Sequence, residues 1–163
     1  MRIGTLRYQG KYHTLETTAI IPIIGYGKNI LIKAKGNGKE IARQAIQSIA
    51  LRLLALIPAG KLRLICIDPV GLGETVAGFI QDLPDTITQG KSWTEPNHIE
   101  QQLANLEQDM ATIKQKYLGK KYSNIEEYNK EAGIVSEPYR LLIISDFPAR
   151  FSDFAAQRLI SIA

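Results

Sequence analysis

The run Lys33-Ala34-Lys35-Gly36-Asn37-Gly38-Lys39-Glu40 sets three lysines and two glycines immediately ahead of a helical pattern. Those residue types suit a phosphate cradle. In the pattern Gly-x-x-x-x-Gly-Lys-Ser/Thr, backbone N–H groups surround a phosphate, the lysine reaches its outer oxygens, and the hydroxyl binds magnesium. Gly36, Gly38 and Lys39 stand where such a loop needs them, so Lys35, Gly36, Asn37, Gly38, Lys39 and Glu40 are the expected nucleotide-binding residues. Two positions depart from the pattern. Lys33 replaces the opening glycine and brings a Cβ and a long side chain to a tight turn. Glu40 replaces the hydroxyl residue and puts a carboxylate at the helix N-terminus, which suits the helix dipole and competes with phosphate. Lys33 and Lys35 partly offset that charge. An ordinary glycine-containing strand-to-helix turn carries the same residue types.

A second carboxylate, Asp146, closes the apolar run 139–145. In phosphoryl-transfer enzymes of this kind a strand-end Asp orients the magnesium shell, and a following acid polarises the attacking water. Asp146 meets the first requirement as a Walker-B-like residue, but Phe147 follows it and cannot act as a base. Asp146 equally suits a turn made with Pro148. A third carboxylate, Asp68, ends the run 62–67. The lone cysteine, Cys66, lies inside that run, where a small buried thiol is the ordinary role, and it is assigned no chemistry. Trp93 reads as a packing anchor.

The elements that must position these groups follow from periodicity. Residues 2–28 are rich in β-branched and aromatic residues broken by Gly10, Pro22, Gly25 and Gly27, a β lead-in of short strands and turns. Residues 29–32 read as a compact apolar strand. Ala42, Ala45, Ile46, Ile49, Leu53 and Leu56 recur at helical spacing, predicting a helix over 40–57 that Pro58 and Gly60 stop. Residues 62–67 form a strand covered on both faces. Residues 69–96 are loop, punctuated by Gly71, Gly73, Gly78 and Gly90, with a short helix at 76–80 and a short strand at 86–88. Ile99, Leu103, Leu106, Met110, Ile113 and Tyr117 predict a long amphipathic helix over 97–118, capped by Asn97 with Glu100. The heptads are too few for a coiled coil, so this helix should dock on the sheet. A helix over 124–132, a buried strand over 139–145 and a helix from 152 complete the pattern. The expected fold is therefore α/β: a three-layer, mostly parallel sheet forming a P-loop NTPase (RecA-like) core over 29–163, incomplete at its C-terminus. Its ligand would sit outside the carboxyl ends of the strands.

At 163 residues and 45% hydrophobic content the chain can bury one core. No apolar run reaches the roughly 18 to 20 residues needed to cross a bilayer, so the segment is expected to make no membrane contact and to be cytoplasmic. The net charge of +4 tolerates an anionic partner without requiring one. The densest basic stretch, Lys114, Lys116, Lys120 and Lys121, fits a solvated helix end.

Taken in order, these residues resemble the FtsK/SpoIIIE group of P-loop motor ATPases, which also supplies modules of type VII secretion ATPases. The family loop Gly-Ala-Thr-Gly-Ser-Gly-Lys-Ser agrees with this chain at Ala34, Gly36, Gly38 and Lys39. Its Leu-Ile-Asp-Pro-Lys-Gly element is similar to Ile67-Asp68-Pro69-Val70-Gly71, and its Leu-Pro turn and Asn-Ile-x-x-Tyr-Asn segment are similar to Leu83-Pro84 and 124–129. The resemblance implies ATP and magnesium as cofactors, weakly held or lost, and assembly with identical or related ATPase modules. It implies DNA or a protein as the translocated substrate. With Glu40 and Phe147 at the altered positions, it implies a degenerate module with weak or no hydrolysis inside a longer protein. Two other readings stand beside it. One is an active translocase in which Glu40 ligates magnesium and Glu74 activates water. The other is a nucleotide-independent protein-binding domain using the helix 97–118.

Overall fold

A computed structural model describes residues 2–23, 28–88, 91–119 and 121–163. Gly25, Gly27 and Gly90, invoked above as turn residues, and Lys120 of the basic stretch lie outside them. The chain divides into two compact units, residues 1–31 together with Ala163, and residues 32–162.

In the first unit, β1 (Arg2–Gln9) and β2 (Thr14–Ile20) pair as an antiparallel hairpin. The register sets Leu6 opposite Thr17 and Tyr8 opposite Leu15, so the pleat gathers these four on one face and leaves Arg7 with Glu16 on the other. Arg7 and Glu16 are in contact at 2.6 Å. The turn closes through the Gly10 N–H, which donates to the His13 carbonyl at 2.8 Å.

The second unit holds α1 (Gly38–Leu56), β3 (Leu62–Ile67), α2 (Glu74–Ile80), α3 (Pro96–Tyr117), α4 (Ile125–Ala132), a 3-10 turn (Gly133–Val135), β4 (Tyr139–Ile144) and α5 (Asp153–Ile162). β3 and β4 run parallel, in register from Leu62 with Tyr139 to Ile67 with Ile144. Leu62, Leu64 and Cys66 are buried on one face of β3 while Ile67 is buried on the other, the two-sided burial expected of a parallel strand. The Ile67 face meets Ile99 and Leu103 of α3 and Ala155 of α5, with Trp93, Leu142, Phe151 and Leu159 closing around them. Trp93 thus packs against the core, and its carbonyl accepts from Asp68 N–H at 3.0 Å.

The three-layer, mostly parallel sheet of a RecA-like P-loop core is not what the chain forms. The described residues contain two sheets of two strands each, one antiparallel and one parallel. Residues 29–32 carry no ladder, and Ile30, Leu31 and Ile32 stay exposed at 43%, 77% and 39%. An apolar run becomes a strand only when a neighbour takes its N–H and C=O groups, and among the described residues this run has no ladder partner. Residues 86–88 are likewise a turn, in which Ile87 N–H donates to the Pro84 carbonyl at 2.8 Å, although the Ile87 carbonyl accepts from Leu64 N–H at 2.7 Å.

Helix termini differ in smaller ways. α3 starts at Pro96, whose fixed φ and absent N–H suit the first helical position, with Glu95 as its N-cap and no side-chain cap bond. Glu100, expected to pair with Asn97, instead accepts from Ser152 Oγ at 2.7 Å. α4 is capped by Asn124, whose side chain accepts from Glu127 N–H at 2.9 Å while Glu127 reaches back to Ser123 N–H at 2.8 Å. Among the described residues no helix is long and apolar enough to cross a membrane.

Leu103 is fully buried, whereas Met110 on the same helix is 40% exposed. Leu103→Ala is expected to lower the unfolding free energy by about 2–5 kcal/mol through lost burial and a residual cavity. Met110→Ala should cost under about 1 kcal/mol. Urea denaturation midpoints of the two variants check the contrast.

Candidate functional site

The loop before α1 and the end of β4 come together in the second unit. Lys39 Nζ donates to Asp146 Oδ1 at 3.2 Å across 107 positions of sequence. The ion pair is open to solvent, with 66% of the Lys39 side chain and 34% of the Asp146 side chain exposed. Sequence reasoning proposed both residues from separate motifs, and the structure makes them partners of each other.

The loop itself folds inward. Gly38 N–H donates to the Lys35 carbonyl at 3.0 Å and Lys39 N–H to the Gly36 carbonyl at 3.1 Å. Two of the backbone donors that would line a phosphate cradle are therefore used inside the turn. Gly36 sits at φ +53°, a conformation that glycine adopts without steric cost. Asn37 occupies the N-cap position in helical conformation and makes no side-chain cap bond. Lys33 and Lys35 are exposed.

Glu40 is engaged on both oxygens. Oε2 takes the Arg43 guanidinium and Oε1 accepts from Gln44 Nε2 at 3.0 Å, both partners lying one turn along the helix. Arg43 also contacts Glu74 at 3.5 Å, so the acid considered for activating water sits in an ion pair instead. The serine or threonine hydroxyl of a magnesium site is missing, and the carboxylates nearest the loop already hold cations. As arranged, these residues do not fit a magnesium–nucleotide complex. The exposed lysines still suit an anion.

Below this charged surface lies a buried polar network of which the sequence pointed to Asp68 alone, not to Thr75, Ser145 or Gln47. Asp68, 1% exposed, accepts from Gly71 N–H and from Thr75 N–H, each at 3.0 Å. Ser145 Oγ donates to Thr75 Oγ1 at 2.9 Å, and Gln47 Nε2 of α1 donates to the Thr75 carbonyl at 2.9 Å. Gly71 is needed by proximity, since a Cβ there would lie 2.9 Å from both Asp68 carboxylate oxygens. The readable signal was the Asp68-x-x-Gly71 spacing ahead of a helix start, which marks a side chain capping its own turn.

The turns around this network carry backbone strain. Leu72 and Asp146 adopt φ of +51° and +50°, and Arg150 adopts +57°. Such conformations cost non-glycine residues roughly 1–3 kcal/mol each and persist where surrounding bonds over-determine them. Leu72 lies in the turn between β3 and α2, and Asp146 lies just past the end of β4.

No family model, curated protein or solved structure matches this chain.

Burial pushes the Cys66 thiol up to about 12, with the neighbouring Asp68 charge acting in the same direction. Iodoacetamide at pH 8 should therefore leave folded Cys66 unmodified and alkylate it in urea, as intact mass would report. The neutral thiol is favoured by the folded state, so its contribution is present below the ordinary value of 9.0 and is lost as pH climbs from there toward 12. Urea midpoints across that range should fall, and Cys66→Ala should make the fall shallower.

Proposed function

We propose that the chain is a degenerate phosphate-loop module, related to FtsK/SpoIIIE-like ATPases, whose loop attracts polyphosphate weakly and does not hydrolyse it. It serves as a structural or regulatory partner to active ATPase modules in the cytoplasm, and those modules, not this one, drive DNA or protein substrate. The observation that carries this reading is the Lys39–Asp146 ion pair. The lysine that would reach phosphate is held by the carboxylate that would organise magnesium, so each group neutralises the other.

The magnitude of that contact sets how firmly the loop is closed. Exposed ion pairs contribute about 0–1 kcal/mol, because water and salt screen them. A polyphosphate can therefore displace Asp146 at modest cost, but it meets a loop whose Gly38 and Lys39 N–H groups point elsewhere. Weak attraction without catalysis is the consequence. Glu40 as a magnesium ligand, which an active translocase would need, requires displacing both Arg43 and Gln44. The third reading, a protein-binding surface on the long helix, is disfavoured because Ile99, Leu103 and Leu106 of its apolar stripe are already buried.

Thermal unfolding in ATP, with and without magnesium, tests the proposal. Wild-type protein should show a small shift that Lys39→Ala removes, and Asp146→Asn should show a larger shift because the lysine is released. Neither protein should turn ATP over. Magnesium-dependent turnover by the wild type, abolished by Lys39→Ala, would establish the active enzyme instead. Melting temperatures indifferent to ATP in both wild type and Asp146→Asn would establish the nucleotide-independent domain.

A further inference from the structure

Asp146 is the gate of the proposed loop, and its backbone sits at φ +50°, a left-handed conformation that Asp visits as a single residue where local hydrogen bonds support it. Hydrogen bonds on both sides of it fix the backbone there. On its C-terminal side the Asp146 carbonyl accepts from Ala149 N–H at 2.9 Å. On its N-terminal side Ser145 is fixed twice, by its N–H donating to the Ile67 carbonyl at 2.9 Å and by its hydroxyl donating to Thr75 Oγ1 at 2.9 Å. Thr75 is itself fixed by Asp68 through its N–H and by Gln47 of α1 through its carbonyl. Ser145 and Thr75 are each 8% exposed. Hydroxyls buried under a solvent-facing ion pair add no apolar stabilisation, whereas a fully satisfied polar network fixes the geometry of what it supports.

We propose that Thr75 and Ser145 are positioning residues that hold Asp146 over Lys39, so that this buried hydroxyl pair sets how tightly the loop is closed to anions. The inference rests on the closed-loop reading above. It assigns the α2 start a role in regulating the loop, because Thr75 joins β3, β4 and α1 at one residue.

The test is pyrophosphate affinity, followed by amide chemical-shift titration of Gly36 and Gly38 in the full chain. Releasing an exposed ion pair should tighten binding about two- to fivefold, which is the expected gain in Asp146→Asn. Thr75→Val and Ser145→Ala should each reproduce part of that gain and add nothing further when combined with Asp146→Asn. Thr75→Ser, which keeps the hydroxyl, should bind as the wild type does. A residue with only a structural role would lower stability without raising affinity. Ser145→Ala leaves the Asp68 and Gln47 bonds to Thr75 in place, so it decides the matter even where Thr75→Val does not fold. If Asp146→Asn gains affinity and both hydroxyl variants bind like wild type, or if their gains add to that of Asp146→Asn, the positioning role is wrong and the closed loop stands. If Asp146→Asn itself gains nothing, the closed-loop reading fails and this inference with it.

Discussion

The carboxylate of Asp68 is the constraint on which the second unit is built. A buried charge costs several kcal/mol unless its lone pairs are satisfied, and Asp68 is 1% exposed at the end of a strand. Two backbone N–H groups answer it, those of Gly71 and Thr75. Accepting both forces the chain to turn back on itself directly after β3. The close approach excludes any side chain at position 71, and the turn leaves Leu72 in a conformation a leucine seldom takes. The start of α2 is thereby fixed relative to β3, and every later contact of Thr75 inherits that placement.

From Thr75 the order of strengths explains why the surface is adjustable and the interior is not. The interior bonds, from Asp68 through Thr75 to Ser145, are shielded from water, so each broken partner would leave a polar group stranded at a cost of about 1–3 kcal/mol. The surface pairs, Lys39 with Asp146 and Arg43 with Glu40 and Glu74, are wet and individually weak. A ligand competing for Lys39 meets only the weak layer. A mutation in the strong layer changes the geometry that the weak layer depends on.

Much of this was legible in the sequence. Helical periodicity located α1, α3 and α5 within a residue or two, and the apolar runs located β3 and β4, because burial on a regular element imposes its own spacing. The segment 124–129 also has a physical explanation. Asn124 caps α4, Tyr128 stacks on Tyr117 at 4.2 Å, and Asn129 clamps Glu137 through both its N–H and its carbonyl just before β4. What was not legible is pairing. Nothing in Asn29-Ile30-Leu31-Ile32 states whether a neighbour is present, and the layered sheet was inferred by granting it one. Arg43 and Thr75 were missed for the same reason, since their importance comes from what lies across from them.

The loop's closed state is written in its own hydrogen bonds. The helix side of the loop is fixed by α1, and residues 29–32 join no ladder among the described residues. The unsatisfied N–H groups of Gly38 and Lys39 then close on the nearest acceptors, the carbonyls of Lys35 and Gly36, as orphan donors at a helix start do when no cap is supplied. Lys39 reaches the carboxylate of Asp146. The same residues that spell a phosphate site in sequence thus settle into an internal ion pair.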